Sequence, residues 1–113
     1  MRKTGETLIS WGITPNLLGY KYIIDALEII KEDSEVLNSL HKKIYRPIAE
    51  KYGVRDVAIE RSIRTAIGKL KSFQHQIDLP KPIQMLIDMN LFCNSTFLAT
   101  LAELEGGAAS ETE

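Results

Sequence analysis

The sequence predicts an all-α fold, built as a compact domain of about five to six helices. Apolar residues recur at spacings of three and four along most of the chain, which is the period of amphipathic helices, and no stretch shows the alternating pattern of a strand. The 113 residues suit one domain with one core, and a composition of 44% apolar and 26% charged residues is typical of soluble globular proteins.

Three helices are predicted in the N-terminal part. Residues 4–11 suit a short helix, followed by a turn in which Asn16 is a candidate N-cap. The apolar spacing predicts a second helix over residues 17–30 and a third that is capped by Asp33 or Ser34. Their predicted inward positions are Leu18, Tyr22, Ile23, Ala26, Leu27 and Ile30 in the second helix, and Val36, Leu37, Leu40 and Ile44 in the third.

Proline, glycine and aspartate mark the boundaries of the next two helices. Pro47 suits the first turn of a helix, where its missing N–H costs nothing. This helix is predicted to end at Gly53, because glycine readily takes the left-handed conformation that follows a helix. Asp56 is the predicted N-cap of a long helix that runs to about Ser72.

The C-terminal part predicts shorter helices and a tail. Residues 83–89 suit one or two helical turns, and Asn94 or Ser95 suits the cap of a last helix. We assign residues 1–105 to one helical domain and residues 106–113, with two glycines and acidic residues, to a flexible acidic tail. The predicted inward positions of the last helix are Phe97, Leu98, Leu101 and Leu104.

A variant helix-turn-helix is predicted around the glycine at position 53. This motif needs a small residue where its two helices touch, a residue that tolerates positive φ in the turn, and apolar anchors after the turn. Ala49, Gly53, Val54, Ile59 and Ile63 supply these residue types, with glycine four positions after alanine and isoleucine six positions after glycine.

The long helix after this turn has two unlike faces. One face is apolar, and the opposite face is short-chained near the N-terminus and basic beyond it. Such a face suits a recognition helix, because the helix backbone must enter the major groove of DNA. The apolar face comprises Ile59, Ile63, Ala66, Ile67 and Leu70, and the opposite face comprises Val57, Ala58, Arg61, Arg64, Thr65 and Gly68, with Glu60 and Lys69 at its borders.

The small net charge of −1 hides a strong asymmetry along the chain. Residues 42–75 carry nine basic and three acidic side chains and have a net charge of +6. Residues 1–41 have a net charge of −2 and residues 76–113 one of −5. A basic middle third is typical of a small nucleic-acid-binding protein with one contact face, and it is equally compatible with a solvated, lysine-rich helix surface.

Other kinds of site find little support in the sequence. His41 and His75 lack cysteine or carboxylate neighbours at metal-ligand spacing, so we expect no metal ion and no cofactor. Cys93 follows Phe92 and has no basic neighbour, so it is predicted to be a buried, inert thiol. No phosphate-binding loop or hydrolase motif occurs, so we expect neither an enzyme nor a small-molecule substrate.

The sequence also bears on location. A single cysteine fits a reducing compartment, and no apolar run of the signal-peptide type follows Met1. The apolar stretches are too short to cross a bilayer. We therefore expect a cytoplasmic bacterial protein without a membrane partner.

Several blocks of residues occur in the order typical of one bacterial family. Residues 59–67 read IERSIRTAI, close to that family's VERAIRHAI. The other blocks are residues 12–15 with 19–22 and 26–27, residues 44–45 with 48–49 and 51–52, and, more weakly, residues 94–97. Over about residues 8–105, the chain thus resembles the C-terminal DNA-binding (effector) domain of the stage-zero sporulation master regulator, a response regulator of endospore-forming bacteria.

The resemblance implies a helical domain that binds promoter DNA sequence-specifically through a variant helix-turn-helix, with copies in tandem on repeated boxes. By position, Glu60, Arg61 and Arg64 lie where the family has DNA-facing residues. Two positions depart from the family pattern, since Ala58 replaces an arginine that reads a base and Thr65 replaces a histidine. We therefore expect a target box different from the family's own.

These arguments together assign roles to individual side chains. Arg61 points away from the apolar face and is predicted to read a base, whereas Arg64 and Arg55 contact a base or a phosphate. Glu60 either accepts a hydrogen bond from a cytosine amino group or pairs with Arg64 one helical turn away. The predicted base contacts are Arg61, Glu60, Thr65 and Ala58, and the predicted phosphate contacts are Lys42, Lys43, Arg46, Lys51, Lys69 and Lys71.

The predicted function is that of a sequence-specific transcription regulator domain whose partner is double-stranded DNA, read by the helix from Asp56 to Ser72. The alternative is a helical protein–protein interaction module that kept the fold but lost base readout, and Ala58 favours it. We also expect self-association on tandem sites. In that arrangement we expect Glu103 and Glu105 of the last helix to face the basic middle third of a neighbouring copy.

Overall fold

The computed structural model describes residues 2–107, with side chains from residue 4 to residue 105, and every regular element in that range is helical. The all-α prediction is confirmed. A 3₁₀ helix at Ser34–Ser39 and π-helical turns at His41–Tyr45 and Glu103–Gly107 accompany the α-helices. The α-helices are α1 (Arg2–Ser10), α2 (Leu18–Glu32), α3 (Arg46–Tyr52), α4 (Asp56–Ser72), α5 (Lys81–Asp88) and α6 (Asn94–Ala102).

Helices α2 and α4 form the centre of the domain. At their crossing, a Cβ atom on Gly19 of α2 would lie 2.5 Å from the Ser62 carbonyl oxygen and 2.6 Å from the Ala66 methyl group of α4. Glycine therefore allows the two backbones to approach closely, and this contact fixes the position of α4. The core between them includes Tyr22, Ile23, Ala26, Leu27 and Ile30 from α2 and Ile59, Ile63, Ala66, Ile67 and Leu70 from α4.

The start of α2 differs from the prediction in two respects. Leu18, predicted to point inward, is 59% exposed, and Leu17 packs against the core instead. Asn16 does not cap the helix, because its side-chain oxygen accepts a hydrogen bond from the Thr14 hydroxyl. The N-cap position is occupied by Leu17, whose backbone is extended and whose side chain makes no capping bond.

The third predicted helix is divided into a 3₁₀ helix and a π-helical turn. Asp33 caps it as predicted, since its carboxylate accepts a hydrogen bond of 3.1 Å from the Glu35 N–H. The change of helical pitch brings Val36, Ile44 and Tyr45 into the core, while Leu37 and Leu40 are half-buried against it. The apolar pattern therefore predicted the burial of Val36 and Ile44, but neither the burial of Tyr45 nor the pitch of the helix.

The turn of the helix-turn-helix forms as the sequence predicts. Pro47 lies in the first turn of α3, and Gly53 follows its end in the left-handed conformation, with φ of 68°. The Val54 N–H reaches back to the Ala49 carbonyl at 3.0 Å and closes the helix end. These residues set the sharp change of direction between α3 and α4.

The C-terminal helices confirm two predictions and correct one. Helix α5 forms, with Pro82 in its first turn, and Phe97, Leu98 and Leu101 of α6 are buried. The cap of α6 is neither Asn94 nor Ser95 but Cys93, whose backbone is extended and whose N–H donates to the Thr96 hydroxyl at 3.0 Å.

Beyond α6 the chain continues into a final π-helical turn. Leu104, predicted to point inward, packs partly buried against the core. Gly106 and Gly107, the first residues of the predicted tail, complete this turn, and residues 108–113 lie outside the described part of the chain.

Candidate nucleic-acid interface

The exposed face of α4 is fixed by what its opposite face contacts. All five residues of its predicted apolar face are buried, so the side chains on the other side of the helix must face solvent. Arg61, Arg64 and Thr65 are exposed, and Ala58 and Glu60 are partly exposed. The structure thus brings the predicted base-contact residues together on one accessible helix surface.

A second contact holds α4 from the side of α6. The buried Asn94 side chain donates two hydrogen bonds of 3.1 Å, one to the Glu60 carbonyl oxygen and one to the Tyr45 hydroxyl. Burial raises the pKa of Tyr45 above its ordinary value of 10.0 and keeps its hydroxyl neutral. The sequence does not reveal this positioning role, because an asparagine at this position also suits a helix cap.

The N-terminus of α4 corrects another predicted cap. Asp56 is the first residue of the helix, and Arg55 occupies the N-cap position with an extended backbone and no capping bond from its side chain. The Asp56 carboxylate lies 2.7 Å from Nε2 of His41. This hydrogen bond is the main cause that lowers the pKa of Asp56 below its ordinary value of 3.8.

The first turn of α4 borders a shallow depression on the surface. Its lining is short or apolar except for two arginines, and the half-buried Ala58 lies within it. No side chain of this set bears a carboxylate. The depression is lined by Val54, Arg55, Val57, Ala58 and Arg61.

Glu60 and Arg64 form an ion pair on the border of this face. The Arg64 Nη1 atom donates to the Glu60 carboxylate at 2.7 Å, across one turn of α4. Both side chains remain partly accessible, with 34% of Glu60 and 60% of Arg64 exposed. The structure therefore shows the pairing that the spacing predicted, and a DNA contact by either side chain would have to rearrange it.

The predicted phosphate contacts divide into two groups around α4. Lys42, Lys43 and Arg46 are exposed on the π-helical turn and the start of α3, and Arg46 is close enough to Asp56 to contribute to its lowered pKa. Lys69 and Lys71 are exposed in the last turn of α4. Positive charge therefore lies near both ends of the helix.

Lys51 differs from the other predicted phosphate contacts. Its Nζ atom donates to the Asp25 carboxylate at 3.2 Å and lies 5.3 Å from the centre of the Tyr52 ring. The hydrogen bond to Asp25 raises the pKa of Lys51 above its ordinary value. Lys51 therefore has an ion-pair partner within the domain, besides its predicted contact to a phosphate.

Cys93 also differs from its prediction. The thiol is exposed, not buried, because the residue caps α6 at the surface. Hydrogen bonds between the sulfur and the Ser95 hydroxyl, and then between the sulfur and the Thr96 hydroxyl and N–H, lower the pKa of the thiol to about 7. The capping role explains both features, but neighbours in sequence did not reveal it.

Within the part of the chain that the structure describes, no group of three or more histidine, cysteine and carboxylate side chains is arranged to hold a metal ion. None of the described helices is long and apolar enough to cross a membrane.

Comparison with known families supplies an independent finding. The model of one family, described as the C-terminal domain of the sporulation initiation factor Spo0A, matches residues 4–104. The matched range includes the whole helix-turn-helix and the helices that support it.

Proposed function

The chain belongs to the family of Spo0A C-terminal domains, DNA-binding effector domains of a sporulation transcription factor, and from this premise we propose that it reads promoter DNA with α4 in the major groove. The observation that carries the proposal is the exposed face of α4. Its first turn is short-chained, its next turns carry arginines, and its other face is anchored in the core. A helix of this kind can approach base edges closely while the rest of the domain stays in place.

The exposure of this face supports a proposed role for each of its side chains. Arg61 extends from the centre of the exposed surface and reads a base, whereas Arg64 and Arg55 reach a base edge or a phosphate. Glu60 accepts from a cytosine amino group when Arg64 turns to the DNA. The remaining contacts to base edges are proposed to come from Thr65 and Ala58, the latter offering its methyl group to a thymine methyl.

The flanking cations hold the backbone of the duplex. The cluster at the start of α3 lies toward the N-terminus of α4, and the last turn of α4 supplies positive charge at the other end. Lys51 contributes least, because its ammonium group already binds Asp25. The proposed phosphate contacts are Lys42, Lys43, Arg46, Lys69 and Lys71, with Lys51 as a secondary member.

Selection from a random pool of DNA duplexes tests this function directly. The purified chain is mixed with the pool, bound duplexes are amplified over several rounds, and the product is sequenced. Enrichment of one box supports base readout, and we expect a box unlike that of relatives with arginine at position 58. If the chain binds duplexes but no box is enriched at any of the salt concentrations used, the result would contradict sequence-specific reading.

A helical protein–protein interaction module is the second candidate. The observation that favours it is Ala58, which lies in the first turn of the proposed reading helix and cannot donate a hydrogen bond to a guanine edge. Under this proposal the fold is retained and binding to duplex DNA is weak at physiological salt. The selection experiment separates the two candidates, because only the first yields an enriched sequence.

A further inference from the structure

Two exposed apolar side chains lie on either side of Arg61. Val57 of α4 is 45% exposed, and Leu18 of α2 is 59% exposed. Leu17 packs against the core at the start of α2, so the core does not require a leucine at position 18. Single exposed apolar residues are common on protein surfaces, but these two adjoin the same arginine.

Val57 is placed beside Arg61 by the geometry of α4. The two residues are four positions apart, so they are neighbours on one helix surface and lie about 6 Å apart along the helix axis. Both line the depression at the first turn of α4, together with Ala58. Because the opposite face of α4 is buried in the core, this spacing is fixed before a ligand approaches.

Leu18 is placed on the other flank of Arg61 by the crossing of α2 and α4. The next residue, Gly19, lies so close to α4 that a Cβ atom on it would be 2.5 Å from the Ser62 carbonyl oxygen. Leu18 and Arg61 line a second depression on this flank. At about 100° per residue, Val57 and Ser62 project to opposite sides of Arg61, so the two apolar side chains flank the arginine.

The two depressions suit an apolar surface that also carries hydrogen-bond acceptors. Their charged side chains are Arg55 and Arg61, and neither lining includes a carboxylate. In the major groove, guanine presents two acceptors to an arginine, and thymine is the base that presents an apolar group, its C5-methyl. An arginine between two aliphatic side chains is therefore complementary to a guanine with thymines close to it.

We propose that Val57 and Leu18 are specificity-determining residues, each of which packs against the C5-methyl group of a thymine in the target box. The thymines lie within about two base pairs of the guanine read by Arg61, since about 6 Å along α4 corresponds to about two steps of about 3.4 Å. This inference rests on the proposed function, because it requires α4 in the major groove. It extends the reading surface from α4 to the start of α2.

Replacing single thymines by deoxyuridine tests the methyl contacts, because uracil keeps the base pairing and lacks only the methyl group. The box comes from the selection experiment, and the guanine is the position at which Arg61→Ala loses discrimination. We expect the affinity, measured by fluorescence anisotropy, to fall about two- to fivefold at each of two thymines near this guanine, which is the loss for one buried methyl-sized group. A box without thymine within about two base pairs of the guanine would overturn the inference, and so would a box whose affinity no uracil changes.

Two variants assign these contacts to their side chains. Val57→Ala should weaken binding to the thymine box about two- to fivefold and reduce the effect of uracil at one position, and Leu18→Ala should do the same at the other. Leu91→Ala is the matched control, because this leucine is 51% exposed and lines neither depression, so it should change neither quantity. Since all three side chains are exposed, the melting temperatures should stay close to that of the unaltered chain.

The same comparison contains the result that would contradict each assignment. If Val57→Ala or Leu18→Ala weakened the thymine and uracil boxes equally, that side chain would pack against a sugar and not a methyl group, and its assignment would be overturned. A selection that enriches no box would refute the proposed function, and the inference with it. An enriched box read by Arg61, with uracil effects that persist in both variants, would leave the proposed function in place and overturn the inference alone.

Discussion

Arg61 and Arg64 lie close together on α4 but are in different states before any ligand arrives. Arg64 is held by Glu60 at 2.7 Å, whereas Arg61 has no hydrogen-bond or ion-pair partner among the residues whose side chains are described. A contact from Arg64 to DNA must first break or share an ion pair, and a contact from Arg61 need not. This difference makes Arg61 the better candidate for base readout.

Replacing Arg61 should therefore change specificity as well as affinity. We expect Arg61→Ala to lose about 1–3 kcal/mol of discrimination at one position of the selected box, because a bidentate contact to guanine is worth about that much. Binding to single-base variants of the box, measured by fluorescence anisotropy, checks this. Lys31→Ala, an exposed cation on α2 far along the sequence from the motif, is the control. Uniform weakening for all boxes would identify Arg61 as a phosphate contact instead.

The pair formed by His41 and Asp56 makes a prediction about pH. The pKa of Asp56 is lowered in the folded state, so the pair contributes stability above the ordinary value of 3.8 and loses it as the pH falls through the folded-state pKa. The difference in melting temperature between the unaltered chain and His41→Ala should thus be present at pH 5 and shrink toward pH 3. A difference that grows in acid would contradict this linkage.

At the scale of elements, the proposed reading helix is held at two points by two different devices. Gly19 allows α2 to touch the backbone of α4 near Ser62, and Asn94 links α6 to the carbonyl of Glu60. Both contacts fall within one turn of each other, next to the exposed arginines. The arginines are therefore displayed from a backbone that has little freedom to shift.

Two glycine substitutions test the close crossing. Gly19→Ala would place a methyl group 2.5 Å from the Ser62 carbonyl oxygen, so we expect it to lower the free energy of unfolding by about 1–3 kcal/mol. Gly68→Ala on the exposed side of α4 meets nothing within 4 Å and should instead raise it by up to about 1 kcal/mol through helix propensity. Urea denaturation of both variants is the measurement. Equal effects of the two changes would show that the crossing is not tight.

Helix periodicity predicted the elements well because the apolar spacing is a local property. The buried stripe from Ile59 to Leu70 and the end of α3 at Gly53 follow from single residues and their near neighbours. Leu18 is the exception, since a helix start that shifts by one residue can leave its first apolar side chain outside.

The features that the sequence did not predict depend either on contacts between segments that are distant in sequence or on the backbone conformation at a helix cap. Lys51 forms a hydrogen bond with Asp25, which is 26 positions away in the sequence, and His41 forms one with Asp56, which is 15 positions away. Neither sequence separation belongs to a local pattern from which such a pair could be predicted. The apolar neighbour of Cys93 predicts a buried thiol, but the extended backbone of this residue makes it the cap of α6 and exposes it. The residues that the sequence best identified are those of one helix face, and their roles toward DNA stay predictions.

At the scale of the whole molecule, the basic middle third becomes a surface around α4. A net charge of +6 over residues 42–75 is offset along the chain by acidic segments before and after it, so the small total charge conceals a strongly basic segment. This arrangement would attract a polyanion to the same side that exposes Arg61.

The salt dependence of binding measures how many of these cations reach phosphates. With five free cations near the ends of α4, we expect the log–log slope of affinity against salt to be about −4 to −5 per domain. Lys69→Ala should make the slope shallower by about 1, and Lys31→Ala should leave it unchanged. A slope near zero would mean that the basic segment is only a solvated surface.

Pairing on DNA is the prediction that depends on the size of the whole domain. The domain extends 36 × 35 × 27 Å, and one helical turn of DNA, about 34–36 Å, holds about 10 base pairs. Two copies on boxes one turn apart would therefore lie side by side on the same face of the duplex. One domain with one reading helix has limited specificity, so such pairing would increase it.

The C-terminal turn offers charge for this contact. Glu103 is exposed, while Glu105 accepts a hydrogen bond from the Thr4 hydroxyl and is partly buried. We therefore expect Glu103 to contribute more than Glu105 to a contact with the basic surface of a neighbour. Leu104 packs partly against the core, which limits its share in the contact.

Duplexes with one box and with two boxes test pairing directly. We expect a monomer or weak dimer in free solution and cooperative binding to two boxes spaced about 10 base pairs apart. An insertion of five base pairs turns the second copy to the opposite side of the duplex and should abolish the cooperativity, and Glu103→Gln should weaken it without changing the affinity for one box. Equal affinity per site on every duplex would exclude pairing and leave Glu103 as an ordinary solvated charge.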